Sequence, residues 1–187
     1  MSHVQASIDE AVKTVESLRS LEDNIMRAAA LVKGCLANGG KLMACGNGGS
    51  AADASDFTTE YVCRFLKDRQ PFPAINLTAD GGLLTAIGND YAFDEVFARQ
   101  VRGFGKPGDV LIAISTSGRS KNIVHALEEA NRLQLQSIAL LGKDGGNAKG
   151  LATVDLVVPS QTTARIQEAH KFMLHVICEL VDPSLKK

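Results

Sequence analysis

The 187-residue sequence has almost no net charge: 20 Lys and Arg stand against 21 Asp and Glu, a formal charge of -1. That balance excludes the general electrostatic footprint of a nucleic-acid-binding protein. No apolar run approaches the ~20 residues that a membrane-spanning helix requires. The opening MSHVQASIDE lacks the basic-then-apolar order of a secretory signal. Cys35, Cys45, Cys63 and Cys178 form no CxxC pair and sit in apolar or helical contexts, so they read as buried thiols of a reducing compartment. The cytoplasm is the expected location. Neither a GxGxxG nor a loop ending in GK[ST] occurs, which removes the usual signs of nucleotide chemistry. Linkers, low-complexity runs and short-period repeats are also lacking. What remains is 45% apolar and 22% charged residues, over a length that suits one globular domain with a sizeable core.

The chain is organised around Lys41–Glu60, KLMACGNGGSAADASDFTTE. Leu42–Cys45 reads as a short buried strand. Gly46-Asn47-Gly48-Gly49 breaks it, since glycine visits positive φ without steric cost. Ser50 is the expected N-cap of a helix running to Leu66, opened by Ala51, Ala52, Asp53 and Ala54. Free N–H groups at such a helix start, unshielded by side chains, form a cradle for phosphate or another oxyanion.

Before this unit, Val4, Ile8, Val12, Val15 and Leu18, then Leu21, Ile25, Ala29, Val32 and Leu36, recur at helical spacing. Two helices are expected there, placed either on a partner subunit or over the sheet's own edge. After it, the strands Ala74–Leu77, Val110–Ile114, Ser137–Leu141 and Val154–Val158 alternate with helices at Gly81–Gly88, Glu95–Gly103, Ser120–Leu133 and Ala164–Val181. The last helix takes its apolar positions from Ile166, Met173, Leu174, Ile177 and Leu180. Such alternation implies an α/β fold, a five-stranded parallel sheet with helices on both faces. Ligands of such sheets bind outside the carboxyl ends of the strands. The second loop there, ISTSGRSKN (Ile114–Asn122), brings the hydroxyls of Ser115, Thr116, Ser117 and Ser120 to a helix start, a density beyond what one cap requires. A small phosphorylated substrate fits both loops better than a nucleotide does.

Together CGNGGSAADASDF, AIGNDYAF, ISTSGRSKN, GKDGG and ARIQEAH resemble the sugar isomerase (SIS) domain over nearly the whole chain. The RIQE…H signature of the last helix narrows the resemblance to the phosphoheptose isomerases. It implies a single SIS domain over residues 1–187, flavodoxin-like, with N-terminal helices over about 4–37 used in oligomer packing. It further implies a homotetramer with active sites at subunit interfaces. The implied reaction converts sedoheptulose 7-phosphate to D-glycero-D-manno-heptose 7-phosphate in nucleotide-activated heptose biosynthesis, without a nucleotide cofactor. The substrate-binding positions of the family fall on Asn47, Gly48, Gly49, Ser50, Asn89, Asp90, Ser115, Thr116, Ser117, Ser120 and Gln167. Glu60 and His175 fall on its acid–base pair, although residue by residue Glu60 reads as a solvated helix glutamate and His175 as a core histidine.

Spacing constrains these roles. His170 and His175 are five residues apart, about 140° round a helix, so they do not face one site together. Gln167 lies about 80° from His175, and Glu168 aligns better, so Gln167 is chosen by resemblance alone. His3 and His125 read as surface residues. The family typically carries zinc on a histidine four residues before the catalytic glutamate, and this chain has Asp56 there. Asp56 and Glu60 share a helix face. With Gln167 and His175 they could make a mixed O/N set for zinc or another divalent metal, the two carboxylates favouring harder ions; the open alternative is that Asp56 is a metal-free polar residue and Glu60 and His175 a metal-free acid–base pair. The competing functions are a non-catalytic SIS protein of the type that binds the replication initiator, a sugar-phosphate sensor, and an isomerase of another ketose phosphate. Glu60 and His175 favour an enzyme.

Overall fold

Alternation along the central strands decides the architecture. The computed structural model describes residues 2–182. In it Leu42, Ala44, Val110, Ile112, Ile114, Ile138 and Leu140 belong to one apolar layer. Met43, Cys45, Leu111, Ala113, Ala139 and Leu141 belong to a second. Successive strand residues point to opposite faces, so strands that are apolar at every position must be covered on both. The strands are β1 (Leu42–Gly46), β2 (Ala74–Asn76), β3 (Val110–Ser115), β4 (Gln136–Gly142) and β5 (Val154–Val158). All neighbouring pairs are parallel, in the order β2-β1-β3-β4-β5. The helices are α1 (His3–Ser17), α2 (Glu22–Ala37), α3 (Gly49–Val62), α4 (Gly81–Asp90), α5 (Ala98–Phe104), α6 (Lys121–Arg132) and α7 (Thr163–Val181). Residues of α2, α3 and α7 fill the first layer and residues of α4, α5 and α6 the second.

The chain runs from β1 outward to β2, then back across β1 to β3. The strand order therefore reverses between β1 and β3, and a crevice opens at their carboxyl ends. Both glycine–serine loops lie there.

Several boundaries differ from expectation. Helix α3 stops at Val62 rather than Leu66, where the Arg69 guanidinium donates to the Glu60 and Tyr61 carbonyls and lies 4.8 Å from the Phe72 ring centroid. The Tyr61 carbonyl also accepts the Phe72 N–H at 3.0 Å, so both C-terminal carbonyls are paired where the helix stops. Asn89 and Asp90 lie inside α4 instead of closing it, and the Asp80 carboxylate caps its start by accepting the Leu83 N–H at 2.9 Å. The expected helix over Glu95–Gly103 is a 3-10 turn at Phe93–Glu95 followed by α5. Cys63 is exposed, not buried, because it lies past the end of α3; the other three thiols are buried. Leu180 points outward, and His125 is not a free surface residue, since its Nδ1 lies 2.9 Å from Glu95 Oε1. Helix α1 buries only Thr14 and exposes Val4, Ile8, Val12 and Val15. It therefore does not serve to cover the sheet.

Candidate active site

The first loop is a tight glycine turn. Gly48 holds the N-cap position of α3 at φ 56°, a conformation that disfavours other residues, and Ser50 lies one step inside the helix rather than capping it. A Cβ on Gly46 would stand 2.4 Å from the Ser50 carbonyl oxygen, so only glycine lets the helix begin this close to β1. The Ser50 and Ala51 N–H groups turn back onto Asn47 and Gly48. Those of Gly48 and Gly49 take no carbonyl among the described residues and face the crevice end of the helix.

The second loop is partly self-satisfied. Ser115 Oγ accepts the Gly118 N–H at 3.1 Å and Ser117 Oγ accepts the Arg119 N–H at 3.2 Å. Ser120 occupies the N-cap of α6, yet its hydroxyl makes no capping bond. A third loop, Gly142–Gly146, braces the second: the Arg119 guanidinium grips Asp144 through two bonds of 3.1 and 2.7 Å. The Ala148 N–H donates to the Gly118 carbonyl at 2.9 Å. The first two loops are joined directly. Asn47 and Asn122 exchange amide hydrogen bonds, each 2.9 Å, across the switch point. Asn122 is buried at the start of α6, and its one signal in the sequence is its place at a helix start beside the serine loop.

Helices α3 and α7 form the other wall. The Gln167 side chain lies so close to Gly49 that a Cβ there would stand 2.4 Å from its Nε2, so α7 brings an amide to the first loop. Two turns further along α7, the half-buried His175 ring lies 5.9 Å from the Phe65 ring, just beyond the end of α3. Glu60 is half-buried on α3, and no side-chain hydrogen bond of its carboxylate is recorded among the described residues. Asp56 is engaged with Lys171 of α7, whose Nζ also lies 3.0 Å from Asp53 Oδ1. Burial lowers the Lys171 pKa, but its bonds to Asp56 and Asp53 outweigh that and raise it, so the side chain is an ammonium. Asp53 is buried, with Oδ2 unpartnered. In the sequence Asp53 shows only as a carboxylate suited to a helix start, and nothing local marks Lys171.

His170 is a core residue. Its Nε2 donates to the Leu141 carbonyl at 2.9 Å, and burial, opposed only in part by that bond and by Asp53, pushes its pKa down to about 4. The folded value is below the ordinary 6.5. The stability carried by the neutral ring is therefore whole above the unfolded pKa and is lost as pH falls towards 4. Urea melts from pH 7 to 4 are expected to show a loss on the order of 3 kcal/mol from this residue. His170→Gln, which keeps a donor for Leu141, is expected to flatten the slope; an unchanged slope would assign the acid sensitivity elsewhere.

Asn89 and Asp90 make no bond to these groups among the described residues. They are exposed at the end of α4 and bonded to each other at 2.8 Å, and the described residues show no bond from either to the two loops.

The SIS domain family matches residues 6–142 of this chain. A phosphoheptose isomerase of Nitratiruptor sp. is 49% identical over 185 residues, covering 98% of this chain and 99% of that protein. The solved phosphoheptose isomerase GmhA of Neisseria gonorrhoeae superposes with a TM-score of 0.89 at 43% identity, over 96% of this chain and 97% of that one. A phosphoheptose isomerase structure from Francisella tularensis gives a TM-score of 0.92 at 38% identity, over 96% of each chain.

Proposed function

Since the chain belongs to the SIS domain family and, within it, to the phosphoheptose isomerases, we propose that it is an aldose–ketose isomerase converting sedoheptulose 7-phosphate to D-glycero-D-manno-heptose 7-phosphate. The observation that supports this best is the reciprocal Asn47–Asn122 bond. It sets two helix starts and a row of hydroxyls side by side at one crevice, the arrangement that a single phosphate group requires. Thr116 and Ser120, with the Gly48 and Gly49 N–H groups, bind and orient the sugar phosphate. Ser115 and Ser117 shape the loop that presents them.

The reaction moves one proton between C1 and C2 of the ketose through an enediol. Glu60 takes the proton from C1 and returns it to C2. His175 relays the hydroxyl proton from O1 to O2, so that the carbonyl passes from C2 to C1 with no atom gained or lost. Gln167 steadies the sugar against the first loop.

The resemblance also implies a divalent metal on Asp56, Glu60, Gln167 and His175. The residues present do not fit one. Asp56 is paired with an ammonium, and among the described residues no three His, Cys, Asp or Glu side chains converge as a metal site. No step above passes through a metal.

Assembly as a homotetramer with interfacial sites is part of the same proposal. It is supported by the exposed apolar face of α1 and by a groove beside it lined by Leu18, Ile25, Met26, Phe172, Val176 and Leu180. In this reading Asn89 and Asp90, for which the described residues record no bond to their own chain's loops, contribute to a neighbour's site. Cytoplasmic residence is supported by the three buried free thiols.

Incubation of the pure protein with sedoheptulose 7-phosphate is expected to form the aldoheptose phosphate without nucleotide or redox cofactor. No product, with or without added metal, would reject the assignment. Ser120→Ala is expected to raise KM by roughly tenfold or more at nearly constant kcat, since a hydroxyl on a remote phosphate contributes uniform binding. Loss of kcat at unchanged KM would move the phosphate elsewhere.

A further inference from the structure

The cleft between α3 and α7 carries a charge arrangement that the steps above do not use. Asp53, Asp56 and Glu60 are spaced i, i+3 and i+7 and share one face of α3. Opposite them Gln167, Lys171 and His175 recur at every fourth residue of α7. Lys171 thus lies between the other two, about 40° round the helix from each. Its ammonium is bonded to Asp56 and stands 3.0 Å from Asp53 Oδ1. The Asp53 side chain is 2% exposed and its second oxygen has no partner, so this one ammonium is its only recorded neutralising contact among the described residues. A carboxylate buried in this way demands a fixed positive charge beside it. At Asp56, where the resemblance calls for an imidazole ligand, the chain thus makes an ion pair with α7. A divalent cation on the same oxygens would stand close to the ammonium and be repelled by it.

We propose that Lys171 is the resident cation of this cleft, its ammonium held by Asp53 and Asp56 where the family would hold a divalent metal, and that the protein functions without metal. The functional half rests on the proposed isomerase activity; the substitution of charge does not. Lys171 acts as a positioning residue. It offsets two of the three carboxylates beside an anionic sugar phosphate, and it ties α7 to α3 at the point midway between Gln167 and His175. Glu60 and His175 are thereby kept facing one cleft without a shared metal to draw them together.

The test begins with the wild-type protein, grown with added zinc and manganese, gel-filtered and submitted to elemental analysis. Far less than one equivalent of metal per chain is expected, with turnover unchanged after dialysis against a chelator. One equivalent retained, or turnover lost to the chelator and restored by metal, would overturn the proposal. Cobalt(II) titration followed by visible absorption supplies a readout independent of turnover. Asp56→His combined with Lys171→Met, which restores the imidazole and removes the ammonium, is expected to bind cobalt at least ~100-fold more tightly than wild type. Equal affinities would overturn the proposal. Lys171→Met alone is expected to lower kcat per folded molecule more than tenfold, and Lys171→Arg to recover most of it. Lowered thermal stability with unchanged kcat would reduce Lys171 to a structural tether and overturn its positioning role. If Lys171→Met does not fold, the wild-type metal content and the cobalt titration still decide. Wild-type protein lacking both metal and isomerase activity would reject the enzymatic reading and leave the substitution of charge standing.

Discussion

Glu60→Gln is expected to lower isomerase turnover by roughly 10²–10⁴-fold while leaving affinity for the phosphorylated sugar within a few-fold of wild type. The amide keeps the size and the half-buried setting of the glutamate on α3, but it cannot accept a proton from carbon. The helix is expected to be unaffected: no side-chain hydrogen bond of the Glu60 carboxylate is recorded among the described residues, and its backbone carbonyl stays bonded to Arg69. The groups proposed to bind the phosphate lie at the opposite end of α3, at Gly48 and Gly49, and on the β3–α6 loop. Ground-state binding and proton transfer are thus separated along one helix, and the two should fail separately. Steady-state kinetics with isothermal titration of the sugar phosphate checks this. Equal losses in affinity and turnover would show that Glu60 holds the substrate instead of reacting with it.

Gly118→Ala is expected to be the most damaging single-methyl change in the chain. Two independent obstacles meet at this residue. Its φ is 62°, in the left-handed region, and a Cβ would stand 1.8 Å from the Gly145 carbonyl oxygen. The second obstacle is backbone, not the end of a flexible side chain, so relief requires separating the two loops. That separation breaks the Ala148 N–H bond to the Gly118 carbonyl and strains the Arg119–Asp144 pair. A loss of ~3 kcal/mol or more is expected, at the upper end for point substitutions. Thermal melts should show a fall of roughly 5–15 °C, accompanied by loss of sugar-phosphate binding because Thr116 and Ser120 shift with the loop. A variant with wild-type stability would mean that the loop contact is dispensable. Gly48→Ala is the informative control, since Gly48 shares the positive φ but a Cβ there meets nothing within 4 Å.

The five strands, their parallel pairing and the two loops at their carboxyl ends were legible in the sequence. Each is set by local chemistry: an apolar run, a glycine that must take positive φ, a proline or glycine that ends an element. Even the errors there were local, such as Ser50 read as a cap where Gly48 supplies the turn. The candidate site was legible only in pieces. Asn47 and Asn122 are 75 residues apart, and neither spacing nor propensity says that their amides meet. Asp56 and Lys171 are 115 residues apart. From sequence, Asp56 is either a ligand one turn from Glu60 or a metal-free polar residue, because a helix face is all that periodicity can define. Its partner was settled by the packing of α7 against α3, which sets Lys171 opposite the α3 carboxylates. Local interactions determine which face a side chain occupies, and only the contact between distant elements determines what that face meets; at Asp56 it meets an ammonium.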